Sequence, residues 1–251
     1  MPMSGQIPHS GPRSAMILAA GLGKRMRPLT DDRPKPMIEI AGRCLIDHAL
    51  DRLAEAGINR AVVNLHYMAD LLEAHLKARS GEPGIQFSDE RGALLDTGGG
   101  VKKALGLLGE KAFFVLNCDM MWLDGGENTL ARMAQAWRED SMDALMLMVP
   151  VDMATGYAGS GDFHMDVEKR LTRRGENESA PYLYGGMHIL HPRVFAGFSE
   201  PAFSLNRAWD RALETGRLFG IAHSGHWMHV GTPAAAKEAE DLLALQGKKR
   251  Q

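Results

Sequence analysis

The stretch from Leu18 to Thr30, LAAGLGKRMRPLT, sets two alanines and two glycines ahead of three cations. A backbone bare of bulky side chains lets its N–H groups approach an anion closely and form a concavity around it. Lys24, Arg25 and Arg27 come directly after Leu18, Ala19, Ala20, Gly21 and Gly23, and guanidinium groups match phosphate oxygens well. Phosphate binding is the chemistry this pattern fits, and a tight strand-to-helix turn with a solvated basic face is the alternative. Two common glycine fingerprints do not apply. Gly23-Lys24 is followed by Arg25 instead of the Ser or Thr of G-x-x-x-x-G-K-[ST], and no third glycine completes G-x-G-x-x-G. A motor-type ATPase and a dehydrogenase both lose support.

Other residues could join this chemistry. Lys35 lies between Pro34 and Pro36, where it is either a positioned cation or a surface lysine in a turn. Asp119 ends the apolar run AFFVLNCD, Ala112 to Asp119. The carboxyl end of a parallel strand is where open α/β sheets bind ligands, although a loop aspartate capping a helix has the same appearance. Asn117, two residues before Asp119, is equally suited to a ligand or to a structural hydrogen bond. In DTGGG, Gly98 and Gly99 would either admit a base and ribose against the backbone or merely start a helix. Asp96 and Glu90 are nearby acceptors, for a base N–H or for solvent. His223, His226 and His229 are three residues apart, not the i, i+4 pair of helical zinc motifs, and on a strand His223 and His226 would face opposite ways. Zinc is not expected.

The elements that must hold these residues alternate. AMILA (Ala15 to Ala19), RAVVNL (Arg60 to Leu65), IQFSDE (Ile85 to Glu90), the run ending at Asp119, and Ala144 to Val149 read as strands. Between them, helical spacing covers Leu45 to Glu55, Met68 to Arg79, Thr97 to Leu108 and Thr129 to Glu139. Strands separated by helices predict a mostly parallel sheet with crossover helices. GDFHMDV, PYLYGGMHIL and LFGIAHSGHWMHV predict shorter strands of a small mixed-sheet lobe, and Pro233 to Gln246 a closing helix. Residues 1–13, rich in Pro, Gly and Ser without an apolar stretch, predict a disordered extension, leaving 14–251 as a single domain.

Composition narrows the function. The chain has 251 residues, with 29 Lys plus Arg against 31 Asp plus Glu and a net charge of −2. It lacks the overall basic bias of nucleic-acid or membrane-surface binding, and Trp122 and Trp227 do not argue for base stacking without a basic groove. Two cysteines, Cys44 and Cys118, lack metal-ligand spacing and suit a reducing, cytoplasmic setting. No apolar run is long enough for a membrane span.

LAAGLGKRMRPLT followed by RPKPMIEIAGRCLIDHAL resembles the signature of sugar-1-phosphate nucleotidyltransferases, L-A-A-G-x-G-x-R-[ML]-x-P-L-T and then P-K-P. DTGGGVKKAL, NCD and HVGTP follow in the family's order, so the resemblance runs through almost the whole chain after the tail. It implies an α/β, Rossmann-like nucleotidyltransferase fold, with a mostly parallel central sheet flanked by helices and a small mixed-sheet lobe on the sugar side. It also implies a nucleoside triphosphate and a sugar-1-phosphate as partners and Mg²⁺ as cofactor. Residue by residue, Arg25 matches the triphosphate-binding arginine, Lys35 the lysine near the reacting phosphate, and Asp119 the magnesium-binding aspartate. Leu18, Ala19, Ala20, Gly21, Gly23 and Lys24 then fall on the nucleotide, and Asn117, Tyr184 and Gly185 on the sugar side. These roles are chemically consistent, because an already ionised phosphate oxygen attacking phosphorus needs no general base, only positioning and charge absorption.

The chain departs from the family at His229, in WMHVGTP, where relatives commonly carry a second metal-binding aspartate. Imidazole is a poor ligand for Mg²⁺. Three readings follow: His229 contacts a phosphate, another carboxylate or water fills the place, or catalysis is lost and the protein is a nucleotide-sugar sensor. Within the family, the short length, TGGG and GDF resemble most the N-acetylmuramate-1-phosphate uridylyltransferase branch, with UTP as donor, and next the mannose-1-phosphate guanylyltransferases. No hexapeptide repeat follows the last helix, so an acetyltransferase half is not implied. A monomer or small homo-oligomer is expected.

Overall fold

In the computed structural model of the chain, residues 6–8 and 11–249 are described. The strands are β1 Ser14–Leu18, β2 Glu39–Ile40, β3 Arg43–Cys44, β4 Arg60–Leu65, β5 Gly84–Asp89, β6 Phe113–Asn117, β7 Met120–Trp122, β8 Ala144–Pro150, β9 Ala154–Thr155, β10 Phe163–Met165, β11 Leu171–Arg173, β12 Tyr182–Leu190, β13 Leu218–Ala222 and β14 Trp227–His229. The α-helices are α1 Leu45–Glu55, α2 Ala69–Ala78, α3 Asp96–Leu108, α4 Thr129–Ala136, α5 Asn206–Glu214 and α6 Pro233–Lys249.

The main sheet has a parallel core, β5-β4-β1-β6, continued by antiparallel β12, then β8, then β13 parallel to β8. The core strands alternate two apolar sets, as a period of two requires when both faces are covered. Ala15, Ile17, Val63, Phe114 and Leu116 face one way, into a cluster shared with Ile46, Leu50 and Leu53 of α1 and Leu72 and Leu76 of α2. Met16, Val62, Phe113 and Val115 face the other, against Val101, Ala104 and Leu108 of α3 and Ala208, Trp209 and Ala212 of α5. The result is a helix–sheet–helix sandwich.

The chain runs from β1 outward through β4 and β5, then returns through α3 to β6 on the other side of β1. This reversal opens a crevice beyond the carboxyl ends of β1 and β6, the usual ligand position in such sheets. Leu18 pairs with Asn117 at its floor. The rim of the crevice is fastened from outside the main sheet. A second sheet, β7-β14-β9, carries residues 120–122 and 227–229, and its Met121 and Met228 pack with Met26, Ile38, Leu45 and Ala239 in a separate apolar cluster. Met26 is fully buried there, so the cation-rich turn is nailed down by its one methionine.

The expected small lobe is built differently. β10 and β11 form an antiparallel pair that joins the main sheet through Phe163 and Tyr182, extending its edge at the start of β12. Helix α5 was not foreseen. The expected disordered extension is shorter than 1–13: Ile7 is buried against the core, its N–H donates to Ala56 O, and Arg13 Nη1 donates to Gly57 O. One apolar residue with two such backbone anchors suffices to dock this segment; residues 1–5, 9 and 10 lie outside the described residues. No described helix is long and apolar enough to cross a membrane.

Truncating the buried anchor in Met26→Ala is expected to lower stability by about 2–5 kcal/mol, the usual range for a large-to-small core change, and to loosen the turn above it. Urea unfolding, read beside the KM for nucleoside triphosphate, checks both effects.

Candidate active site

Two adjoining cavities occupy the crevice. The first, about 410 Å³, is floored by Leu18, Ala19 and Ala20 from the end of β1 and walled by Gly21, Gly23, Lys24, Arg25 and Lys35. A Cβ on Gly21 would meet nothing within 4 Å, so its backbone is open to the cavity. Gly23 has φ +62° and sits against Thr30 and Lys35, a left-handed position that favours glycine. Thr30 Oγ1 donates to Gly23 O at 2.9 Å and closes the turn. Lys24 and Arg25 are exposed, and among the described residues neither is in an ion pair, whereas Arg27 is matched with Asp31 at 3.3 Å. The two unpaired cations are thus the ones that line the cavity.

The sharpest feature is at the cavity's inner end. Lys35 Nζ and Asp119 Oδ2 are 2.5 Å apart, with side chains only 12% and 18% exposed. His229 Nε2 is 3.5 Å from the same oxygen. Burial works to raise the Asp119 pKa, but the neighbouring His229 imidazole and the Lys35 charge outweigh it and hold the group down at about 2. The pair is brought together across 84 residues of sequence by a 3₁₀ turn, 35–37, and by the end of β6. Gly231 leaves room for the imidazole, since a Cβ there would collide with the His229 ring.

Behind the floor runs a buried polar chain that the sequence reading did not identify. Ala19 N donates to Asn64 Oδ1 at 2.7 Å, and Asn64 Nδ2 donates to Glu90 Oε1 at 2.8 Å. Leu95 N donates to the other Glu90 oxygen. Glu90 is 1% exposed and therefore supports the loop from behind instead of reading a ligand. Gly100 is glycine because a Cβ would press on that carboxylate. Asn64 does line the cavity, and Leu94 adds an exposed apolar edge to it. The signal for Asn64 was one amide in an otherwise apolar buried strand.

The glycines of DTGGG have a different task from the nucleotide contact expected of them. Gly98 N and Gly99 N both donate to Phe203 O, at 2.8 and 3.0 Å, and Cβ atoms there would collide with Phe203 and Pro201. Neither lines a described cavity; Asp96 and Thr97, immediately before them, do. Asp96 stands at φ +58°, and its Oδ1 accepts from Thr97 N.

The second cavity, about 380 Å³, shares Asp96, Thr97 and Asn117 with the first and continues to Tyr184, Trp209 and Arg173. Asn117 therefore faces both. Tyr184 lies on the wall with its hydroxyl 2.6 Å from His188 Nδ1, and burial pushes its pKa well above the ordinary value. Gly185 is buried at the β12 bulge, where its carbonyl accepts from Trp227 Nε1 at 2.9 Å; it shapes the strand and does not reach the cavity. His223 Nε2 donates to His226 O at 3.2 Å, and burial lowers its pKa. Both Trp122 and Trp227 are core residues.

A family profile described as nucleotidyl transferase matches residues 14–244. The chain belongs to the nucleotidyl transferase family. It is 45% identical over 236 residues to the N-acetylmuramate alpha-1-phosphate uridylyltransferase of Caulobacter vibrioides, covering 93% of this chain and 98% of that one. It is 33% identical to the protein of the same name from Neisseria meningitidis serogroup B, over 91% and 97% of the two chains. Among solved structures, HddC from Yersinia pseudotuberculosis superposes with TM-score 0.74 at 23% identity, over 92% of this nucleotidyl transferase and 99% of HddC. A UDP-glucose pyrophosphorylase complexed with UDP-glucose gives TM-score 0.75 at 17% identity, over 94% and 99%. These structural likenesses carry the fold.

The depressed Asp119 pKa fixes a pH dependence. Its stabilisation is fully present above about pH 4 and is lost as the pH falls through about 2, amounting to about 2 kcal/mol. Asp119→Asn is expected to be less stable than the wild type at pH 6, with the gap closing towards pH 2; thermal unfolding of both across that range checks it.

Proposed function

We propose that this nucleotidyl transferase moves a uridylyl group from UTP to N-acetylmuramate-1-phosphate, releasing pyrophosphate and forming the nucleotide-sugar. The observation that carries the reaction type is the meeting of two cavities at Asn117, beside the Lys35–Asp119 pair. The choice of UTP and of the sugar is supported by the 45% and 33% identities, each across nearly the full length of the relative. The mannose-1-phosphate guanylyltransferase catalytic subunit beta of Xenopus tropicalis is 28% identical, and the match spans 61% of its length.

In this reading the triphosphate lies along the glycine turn, with Arg25 and Lys24 on its outer oxygens. A phosphate oxygen of the sugar-1-phosphate, entering from the second cavity, attacks the α-phosphorus. A new P–O bond forms as the α–β bridging P–O bond breaks, and pyrophosphate carries the electron pair away. Lys35 donates to the α-phosphoryl oxygens as charge builds on them, and Asn117 holds the attacking phosphate in line. No proton has to be removed from the nucleophile, so positioning and charge do the chemistry.

The residues present fit Mg²⁺ in one respect. Asp119 offers a hard carboxylate oxygen on the cavity wall, and among the described residues no group of three His, Cys, Asp or Glu ligand atoms includes it. Mg²⁺ is commonly held by one or two carboxylates together with substrate phosphates. Asp119 would hold it, with the phosphates completing the shell, and bound Mg²⁺ supplies neutralisation of phosphate charge. His229, 3.5 Å from Asp119, then serves as its polar neighbour and not as a metal ligand.

Pyrophosphate release is the test. With Mg²⁺, release is expected with UTP plus N-acetylmuramate-1-phosphate, and Lys35→Ala is expected to lower kcat by roughly 10²–10³-fold, as loss of a charge-stabilising donor does. Turnover only with GTP and mannose-1-phosphate would move the protein to the guanylyl branch. Retained UTP binding without release from any pair would mark it as a sensor.

A further inference from the structure

The far end of the second cavity holds a cation that the transfer reaction does not use. Arg173, on β11, is the sole Lys or Arg among its described lining residues, and it does not line the first cavity. Lys35, Arg25 and Lys24 line only the first. Arg173 is thus separate from the cations that line the first cavity.

Its guanidinium is held in place. Nε donates to Asp210 Oδ1 at 2.7 Å, Nη2 to Asn206 Oδ1 at 3.0 Å, and the group lies 5.4 Å over the Phe163 ring. Nη1 has no partner among the described residues. The side chain remains 37% exposed. Helix α5 begins beside it, with Ser204, Leu205 and Asn206 on the cavity wall, so the positive end of the helix faces the same space. Two carboxylates share the wall: Asp162, whose Oδ2 accepts from Tyr184 N at 2.8 Å, and Asp96, whose Oδ1 accepts from Thr97 N at 2.6 Å. The Arg173 charge is shared with Asp210, 2.7 Å away, and its open Nη1 edge still offers donors to a planar carboxylate.

We infer that Arg173 forms a carboxylate subsite in the second cavity and selects a sugar-1-phosphate bearing an acidic substituent. This rests on the proposed function and sharpens it: N-acetylmuramate differs from N-acetylglucosamine by a lactyl ether, whose carboxylate is that substituent. Asp210 and Asn206 act as positioning residues that aim the Nη1 edge inward.

The test compares N-acetylmuramate-1-phosphate with N-acetylglucosamine-1-phosphate in wild type, Arg173→Ala and Arg173→Lys, using the full chain with UTP and Mg²⁺. The ratio of kcat/KM for the acidic over the neutral sugar is expected to fall roughly 10- to 100-fold in the alanine variant, through KM, and less in the lysine variant, which keeps the charge without the fork. An unchanged ratio, or equal losses for both sugars, overturns the subsite. The KM for UTP reports whether the variants are folded. Binding of free N-acetylmuramate and N-acetylglucosamine, followed by NMR titration, separates this inference from the parent one. If the wild type turns over no N-acetylmuramate-1-phosphate, the proposed function fails, yet preference for free N-acetylmuramate that vanishes in Arg173→Ala still upholds the subsite. No preference in the wild type overturns it.

Discussion

The contact between Lys35 and Asp119 joins two parts of the chain across 84 residues of sequence, above the apolar packing of Ile38 with Met121 and Met228. One is a proline-flanked turn on the rim, the other the end of the central strand β6. Largely shielded from water, each charge would be costly without its partner, so the turn cannot drift from the strand. The glycine turn is tied to the same point, because Gly23 packs on Lys35 and Met26 is sunk beneath both. Lys35 is thus neutralised by the carboxylate, while Lys24 and Arg25 on the same cavity stand outside any ion pair among the described residues.

The buried polar chain explains how such a bare loop stays in shape. Ala19, Ala20 and Gly21 have no side chains able to fix their own backbone. Rigidity comes instead from Asn64 and Glu90, placed on neighbouring strands β4 and just past β5. A carboxylate at 1% exposure is tolerated because it accepts from an amide and from a backbone N–H. The cost of burying it is offset by a floor that is already organised when a ligand arrives.

Much of this was legible in the sequence where structure and pattern coincide locally. α1, β4 and the end of β6 follow directly from apolar spacing, and the fold class from their alternation. The glycine turn, Lys35 and Asp119 converge as the motif implied. What escaped depends on contacts between distant segments. In NRAWDRALE only Ala208, Trp209 and Ala212 face the core, too few apolar residues to announce a helix unless the surface of α3 and the sheet is already in view. Gly98 and Gly99 looked like ligand contacts because the same absence of a side chain admits either a nucleotide or a neighbouring backbone, and it is Phe203, more than a hundred residues on, that decides. Glu90 is equally ambiguous, since charge alone gives no direction of burial.

The bonds from Gly98 N and Gly99 N to Phe203 O, with Leu205 N donating to Thr97 Oγ1 at 2.9 Å, have a consequence for how the second cavity can be altered. They moor its wall to the start of α3 through backbone amides and one threonine, leaving the side chains of α5 and β11 out of the mooring. Those side chains can therefore be exchanged, and the lining of the second cavity changed, without cutting the attachment that holds its wall in place.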